Sequence, residues 1–404
     1  LSEKAKISFR KARAVAPTYN RVAEVIHNKS ANRYNYGKNN LLPNELLTAI
    51  EAGVTASACR QKKSTFIAGK GLADVSISSM MVNSDQTANH LISELSDYAG
   101  VFRGIALKVI YNILGEPYRV TALEFECVRA TDDGRFYYNE KLNDRKDVKA
   151  DRIYMDVFNR HESPSSRLRR VRGQIDEYGR QVGDIIYHFE KKAGQKIYPK
   201  PVAWAGMEEI EADAALGRLD WRNVKRGFRP DVILTTIGEY DDEHEDEAGK
   251  TEQDYFDASI DQFCGEDATP ILNIRVDKKE QAPEVFAFDS EKLLNSTTEA
   301  ADRVARRVCR AMEVPDILIP GLARQGQLGN TQELLHTMKL FALTSLDYQR
   351  LIAQALEMVW PQFDWTIEPL ELIEEIPDWL IDKLTDDEVR ALKGYKPLQQ
   401  QPTE

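Results

Sequence analysis

Apolar residues at Leu46, Leu47, Ile50, Val54 and Ala58 fall at three- and four-residue steps, so one helix is expected from Asn44 to Lys63. Pro43 suits its entry, and Gly69-Lys70-Gly71 breaks the chain after it. A second helix over Thr87–Tyr98 buries Leu91, Ile92 and Leu95. The period then changes to two. Ile105, Leu107, Val109, Tyr111 and Ile113 alternate as one strand, Leu123, Phe125 and Cys127 as a second, and Phe136-Tyr137-Tyr138 starts a third. Further strands are expected at 152–158 and 184–191, and the region reads as an antiparallel meander rather than as βαβ units.

Helix returns from Ala203 to Arg226, with Glu208, Glu209 and Glu211 early and Arg218, Arg222, Lys225 and Arg226 late, a polarity that suits the helix dipole. Gly227 and Pro230 end it. A small mixed unit follows, with a strand at 231–236, a helix near 252–263 and strands at 270–276 and 284–288. Ser296-Thr297-Thr298-Glu299 is a capping-box pattern. The helix it is expected to open carries Ala301, Val304, Val308 and Met312 on one face and Arg303, Arg306, Arg307 and Arg310 on the other. After Pro315 and Pro320 comes Gly321-Leu322-Ala323-Arg324-Gln325-Gly326-Gln327-Leu328-Gly329-Asn330, a polar loop with three glycines, and then a long helix over Thr331–Val359. The tail from Gly394 to Glu404 is expected to be disordered. The first 35 residues are basic and weakly patterned, and no internal repeat is present. The fold class is α+β.

Composition narrows the function. The 404 residues are enough for two or three domains, and 42% hydrophobic with 29% charged residues is globular composition. No run of 18 apolar residues occurs, and no secretory signal is expected from the opening residues. Leu rather than Met at position 1 leaves room for an upstream start. The four cysteines include no CxxC pair, which fits free thiols in a reducing compartment. Net charge is −11, so the chain as a whole lacks the basic footprint of a tight nucleic-acid binder. The residues Asp241–Asp254 hold eight acids and one lysine, a local −7 that leaves −4 for all the rest.

No GxxxxGK(S/T), GxGxxG or GxSxG frame exists, so the common marks of an ATPase, a dinucleotide enzyme and an α/β hydrolase are absent. Glu24…His27 and Glu333…His336 have the spacing of a di-metal carboxylate site on facing helices, but chance produces such pairs easily and the β-rich middle does not suit a four-helix site. The acidic residues Asp241, Asp242, Glu243, Glu245, Asp246 and Glu247 are a solvated loop or a docking surface for a basic partner, since they lack the ligand spacing of a calcium loop. The four arginines at 167–172 and the four at 303–310 are open between a solvated face, a subunit contact and a phosphate contact.

The order of elements resembles the portal proteins of tailed bacteriophages, the head-to-tail connector family. Asn40-Leu41-Leu42-Pro43-Asn44-Glu45-Leu46-Leu47, running on to Phe66-Ile67-Ala68-Gly69-Lys70-Gly71-Leu72, is similar to the portal helix that closes on an apolar, glycine-containing corner. The helix 203–226 leading through Gly227-Phe228-Arg229-Pro230 to a strand, and the small unit after it, match in order. Val314-Pro315 and then Gly329-Asn330-Thr331-Gln332-Glu333 are the most specific part of the likeness. Together these stretches span residues 35–370.

The resemblance implies a phage portal fold: a β-rich wing (1–202), stem helices (203–228 and 291–313), a small α/β clip (229–290), a tunnel loop (314–330), and a long helix with a small crown (331–393). It implies a virion protein, assembled in the host cytoplasm, that forms a ring of about twelve subunits at one capsid vertex. It is then no enzyme and needs no cofactor or metal. Its partners are double-stranded DNA in the channel, the terminase large subunit, the major capsid protein and a head-completion or adaptor protein, with no membrane. Gly321, Arg324, Gln325, Gly326, Gln327, Gly329 and Asn330 face DNA; Asp241, Asp242, Glu243, Glu245, Asp246 and Glu247 dock partners in the clip. Arg303, Arg306, Arg307 and Arg310 touch a neighbouring subunit or DNA. The acidic loop and the 167–172 cluster have no counterpart in the family pattern. A ring adaptor without a channel, a helical di-metal enzyme and a monomeric binding protein are the alternatives.

Overall fold

The basic opening of the chain leads into a hairpin that periodicity did not reveal. Val25–Asn28 (β1) pairs antiparallel with Arg33–Tyr36 (β2). Four-residue strands are too short to show a convincing period. The computed structural model describes residues 25–193, 195–225, 233–237, 272–276, 290–322, 331–370, 385, 387 and 388. Expectations for the first 24 residues, the acidic loop, the helix near 252–263, the strand at 284–288 and the tail at 394–404 lie outside the described residues.

The single helix expected over 44–63 is two, α1 (Leu42–Ala52) and α2 (Val54–Ala68), divided at an extended Gly53. The reason is tertiary. The carboxylate of Asp213 accepts from the Thr55 amide and from the Thr55 hydroxyl, each at 2.9 Å, and so satisfies a free amide at the start of α2. A Cβ on residue 53 would lie 2.9 Å from that carboxylate.

After α2 the chain turns at Gly69, whose φ is +59°, into the two-residue strand β3 (Gly71–Leu72). The corner is tied by the Lys70 amide donating to the Glu368 carbonyl at 2.9 Å. A Cβ at position 69 would stand 2.0 Å from that carbonyl oxygen. Gly69→Ala is therefore expected to lower stability by about 1–3 kcal/mol, from the left-handed backbone and the collision together. Urea unfolding of the purified variant checks this, and an unchanged midpoint would refute the close approach.

A single-turn helix α3 (Val75–Ser78) is capped by Asp74. Helix α4 (Ala88–Phe102), capped by Thr87, runs four residues past Tyr98 and ends at a left-handed Arg103. Strand β4 (Gly104–Tyr111) lies where its alternation placed it. The next strand does not. β5 is Pro117–Ala122, and Phe125–Cys127 is a 3-10 turn followed by β6 (Val128–Ala130). Leu123, Phe125 and Cys127 are all buried, so their apolar character reflects the core rather than a strand face. β7 (Phe136–Tyr138) and β8 (Ile153–Met155) follow.

The expected meander omitted a helix, α5 (Pro164–Tyr178), which holds the 167–172 arginines. Arg167 is buried. It donates to the carbonyls of Gly115 (2.8 Å) and Asn159 (3.0 Å), and its guanidinium lies over the Tyr111 ring. Arg170 is paired with Asp184, Glu162 and Asp156. Two of the four charges are thus consumed by the fold, and only Arg169 and Arg172 are exposed. That corrects the idea of a four-arginine surface at this place. β9 (Asp184–Phe189) completes the region, which forms two antiparallel sheets of order β5-β4-β9 and β6-β7-β8.

Helix α6 (Met207–Lys225) follows a 3-10 turn at Val202–Gly206. The strands β10 (Ile233–Ile237) and β11 (Leu272–Val276) pair in parallel. Helix α7 spans Ser290–Ala311. It begins six residues before Ser296, so the capping-box pattern sits inside the helix; an N-cap needs a non-helical residue there, and residues 290–295 continue the helix instead. Helix α8 (Thr331–Val359) and β12 (Ile367–Glu368) close the order, with β12 pairing antiparallel with β3.

Two apolar clusters hold these elements. One joins α1, α2, α6 and α7 through Leu46, Ile50, Phe66, Ile210, Val308 and Met312. The other joins α4, the β4 sheet and the end of α8 through Leu91, Leu95, Ile105, Leu107, Ile352 and Leu356. Among the described residues no helix is long and apolar enough to cross a membrane.

Candidate functional site

Helix α7 is strongly amphipathic, and the structure uses that division. Ala305 is buried, and Val308, Cys309 and Met312 are buried in the core shared with α2 and α6. Contact with the turn before α6 is tight. A Cβ on Gly206 would fall 2.2 Å from that of Ala311, so no side chain fits there. The opposite face carries Arg303, Arg307 and Arg310, all exposed, and a half-buried Arg306. With Glu299 and Asp302 they line a groove along the helix. Among the described residues none of the four arginines forms an ion pair, and the Arg306 Nε is buried with no hydrogen-bond partner. A guanidinium nitrogen removed from water without a partner is costly.

The end of α7 is fixed by a buried charged node. Glu313 has a left-handed backbone (φ 60°) directly after the helix. Its carboxylate accepts from Lys63 Nζ of α2 at 2.9 Å, from the Tyr348 hydroxyl of α8 at 3.0 Å and from Arg103 at the end of α4. Arg103 also reaches Glu190 beyond β9 at 3.2 Å. The Lys63 ammonium lies 4.7 Å from the centre of the Tyr348 ring. Lys63 is only 3% exposed, and burial pushes its amine down to about 8, with Glu313 offsetting part of that push. Burial would raise the Glu313 carboxyl, but the Lys63 and Arg103 cations outweigh it and hold it below the usual range. Burial likewise drives the Tyr348 hydroxyl up, aided by the Glu313 charge.

Past the node, Val314 is buried and a 3-10 turn at Asp316–Leu318 seats Ile317 and Ile319 in the core. Gly321 follows, exposed and at φ +85°, with nothing within 4 Å of where its Cβ would be. Arg324, Gln325, Gly326, Gln327, Gly329 and Asn330 lie outside the described residues, as do Asp241, Asp242, Glu243, Glu245, Asp246 and Glu247. On the far side of the loop, α8 meets the same core at Phe341, whose ring is 4.7 Å from that of Phe66. Both ends of the 314–330 segment are thus anchored to α2, at Glu313 and at Phe341.

The paired Glu-x-x-His reading fails on geometry. Glu24 lies outside the described residues, and His27 is in strand β1, not on a helix. Its Nε2 is 2.6 Å from Asp132 and its ring stacks on Tyr34. His336 is exposed on α8. Among the described residues no cluster of His, Cys, Asp and Glu has the makings of a metal site.

The sequence pattern placed the arginine face of α7, but it did not show the Lys63–Glu313–Arg103–Tyr348 node or a contact between Cys59 and Cys309. The paired residues in both are separated by up to 250 positions, and no local pattern marks them.

No family model and no curated protein matches the chain. Solved structures similar to it include the neck of an empty gene transfer agent particle computed with C6 symmetry, at 12% identity and TM-score 0.49, covering 89% of this chain and 95% of that one. The neck of the native particle computed with C12 symmetry is similar at 13% identity and TM-score 0.49, covering 88% and 95%. An HK97 family phage portal protein from Corynebacterium diphtheriae is similar at 13% identity and TM-score 0.43, covering 84% and 97%.

Proposed function

We propose that this chain is the portal subunit of a tailed phage or phage-like particle: a ring-forming virion protein through which double-stranded DNA passes. The observation that carries the reading is the setting of the 314–330 segment. Val314-Pro315 and Gly329-Asn330 bound it in sequence, it lies between a 22-residue and a 29-residue helix, and Glu313 just before it bonds Tyr348 of the helix after it. A glycine-rich tip on a locked base suits a loop that lines a channel while its mounting stays still.

On this reading α6 and α7 are the stem helices and the β10–β11 pair belongs to a clip at 229–290. Residues 1–202 are the wing, and 331–393 are the long helix and a small crown. Gly321, Arg324, Gln325, Gly326, Gln327, Gly329 and Asn330 touch DNA loosely, which lets it slide, because each firm phosphate contact adds affinity through counterion release. The arginine face of α7 meets a neighbouring subunit rather than DNA; the partnerless Arg306 Nε supports a close protein acceptor there. The acidic segment within 241–254 is offered to a basic surface of the terminase large subunit or a head-completion protein. The chain acts without catalysis of its own.

Native mass spectrometry of the purified protein, with negative-stain images of the same sample, tests this. Rings near twelve subunits with an open centre are expected. Solid assemblies without a hole, or a monomer that stays a monomer when mixed with its capsid and scaffold proteins, would overturn it.

A further inference from the structure

Cys59 of α2 and Cys309 in the last turn of α7 are both in the core, 0% and 1% exposed, with their sulfurs 3.7 Å apart. We propose that they are a modification site, closed by a peroxide-class oxidant into an intrachain disulfide that ties α2 to the end of α7.

The two helices run side by side in a register that keeps the thiols together. One turn beyond each cysteine, Lys63 and Glu313 form their 2.9 Å ion pair, so the backbone spacing is held independently of the sulfurs. The sulfurs have to close from 3.7 Å to a bond of about 2 Å. The third cysteine among the described residues, Cys127, instead donates to Glu124 at 3.2 Å.

A cleft lies close to the pair. Its volume is about 360 Å³, and it is walled by Lys63 and Glu313, one turn from the thiols, and bordered by exposed Lys192 and Asp347. Neither cysteine lines the cleft, so the proposal requires a small local opening between it and the thiols, through which peroxide, close to water in size, can pass. The Cys59 thiol donates to Cys309, which holds the Cys309 thiol below its ordinary range and raises that of Cys59. As the acceptor of that hydrogen bond, Cys309 is assigned as the attacking sulfur.

Its thiolate attacks one peroxide oxygen, the O–O bond breaks, and the released hydroxide takes up a proton, leaving a sulfenic acid on Cys309. The Cys59 sulfur then attacks the Cys309 sulfur, the S–O bond breaks, and water leaves with the Cys59 proton. Two thiols and one peroxide give one disulfide and two waters. The product closes a loop of 250 residues in the unfolded chain, a large constraint. In the folded chain it fixes the helix that leads to residue 314.

The test treats the purified full-length chain with dilute hydrogen peroxide, denatures it, and alkylates the remaining thiols before peptide mapping. The expected result is that two of the four cysteines become unreactive and a Cys59–Cys309 linked peptide appears. Non-reducing gels should show faster migration, and the unfolding temperature should rise, both reversed by dithiothreitol. Cys59→Ala and Cys309→Ala each abolish the fast band, and Cys127→Ala keeps it. Four reactive thiols after treatment, sulfinic acid at either cysteine without a link, or a link through Cys264 would each overturn the assignment. The wild-type peptide map decides the matter even if an alanine variant folds poorly.

Discussion

Heads assembled with a portal shortened between Gly321 and Asn330 are expected to form normally and to be mostly empty of DNA. Assembly should survive because the segment is mounted on contacts outside it. Ile317 and Ile319 are buried before the deletion, Phe341 after it, and Glu313 stays bonded to Lys63 and Tyr348. Packaging or retention should fail if, as proposed, the loop supplies the chain's contact with moving DNA. The measurement is the ratio of full to empty heads by gradient sedimentation, alongside the ring mass of the mutant portal. Full heads at the wild-type ratio would remove the loop from the DNA path. Rings that fail to form would mean that the segment belongs to the subunit interface instead.

The largest stability effect is expected at the charged node. Glu313→Gln removes the anion that neutralises Lys63, leaving a cation that is 3% exposed. A buried charge stripped of its partner typically costs about 3–5 kcal/mol. The Glu313 side chain is itself 46% exposed, so solvent screening and the remaining amide lower the expected loss to about 2–3 kcal/mol. Adding Lys63→Met should recover most of it, since no buried charge is then left without a partner. Denaturant unfolding of the two singles and the double forms the cycle. A Glu313→Gln single within about 0.5 kcal/mol of wild type would show that the node contributes little.

The same node gives a pH dependence of fixed sign. The folded-state value of Lys63 is about 8, below its ordinary 10.5. The unfolded chain therefore keeps this proton over a range where the folded chain has lost it, and stability rises with pH between those values. The cost of burying the ammonium is fully present below pH 8. Glu313 has the opposite placement, since its depressed value contributes stability above the ordinary carboxylate range and loses it as pH falls through the folded value. Relative to Lys63→Met, the wild type should gain up to about 3 kcal/mol between pH 7.5 and 10.5, at 1.36 kcal/mol per unit. A difference flat across that interval would mean that Lys63 keeps its proton throughout.

Local pattern alone set the type of most elements. The three-and-four spacing of α4 and α7, the alternation in β4, and Pro315 and Pro320 after α7 each act within a few residues, and each was legible for that reason. So was the arginine face, because a helix places Arg303, Arg306, Arg307 and Arg310 on one side whatever its neighbours are. Where the pattern misled, a distant residue had intervened. Asp213 caps α2 and splits the expected 44–63 helix from 158 residues away. Burial from all sides gave 123–127 the look of a strand. Arg167 and Arg170 face carbonyls and carboxylates that α5 meets only once the sheets have formed.

The sequence by itself determined where charge, amphipathic faces and chain breaks fall, because these depend on neighbours along the chain. The tertiary structure alone decided which of those charges are free. Among the described residues it left the α7 arginines without ion-pair partners, enclosed Lys63 with Glu313, and set Cys59 against Cys309. Each of these pairings joins residues far apart in the chain, and packing, not periodicity, brings them within bonding distance.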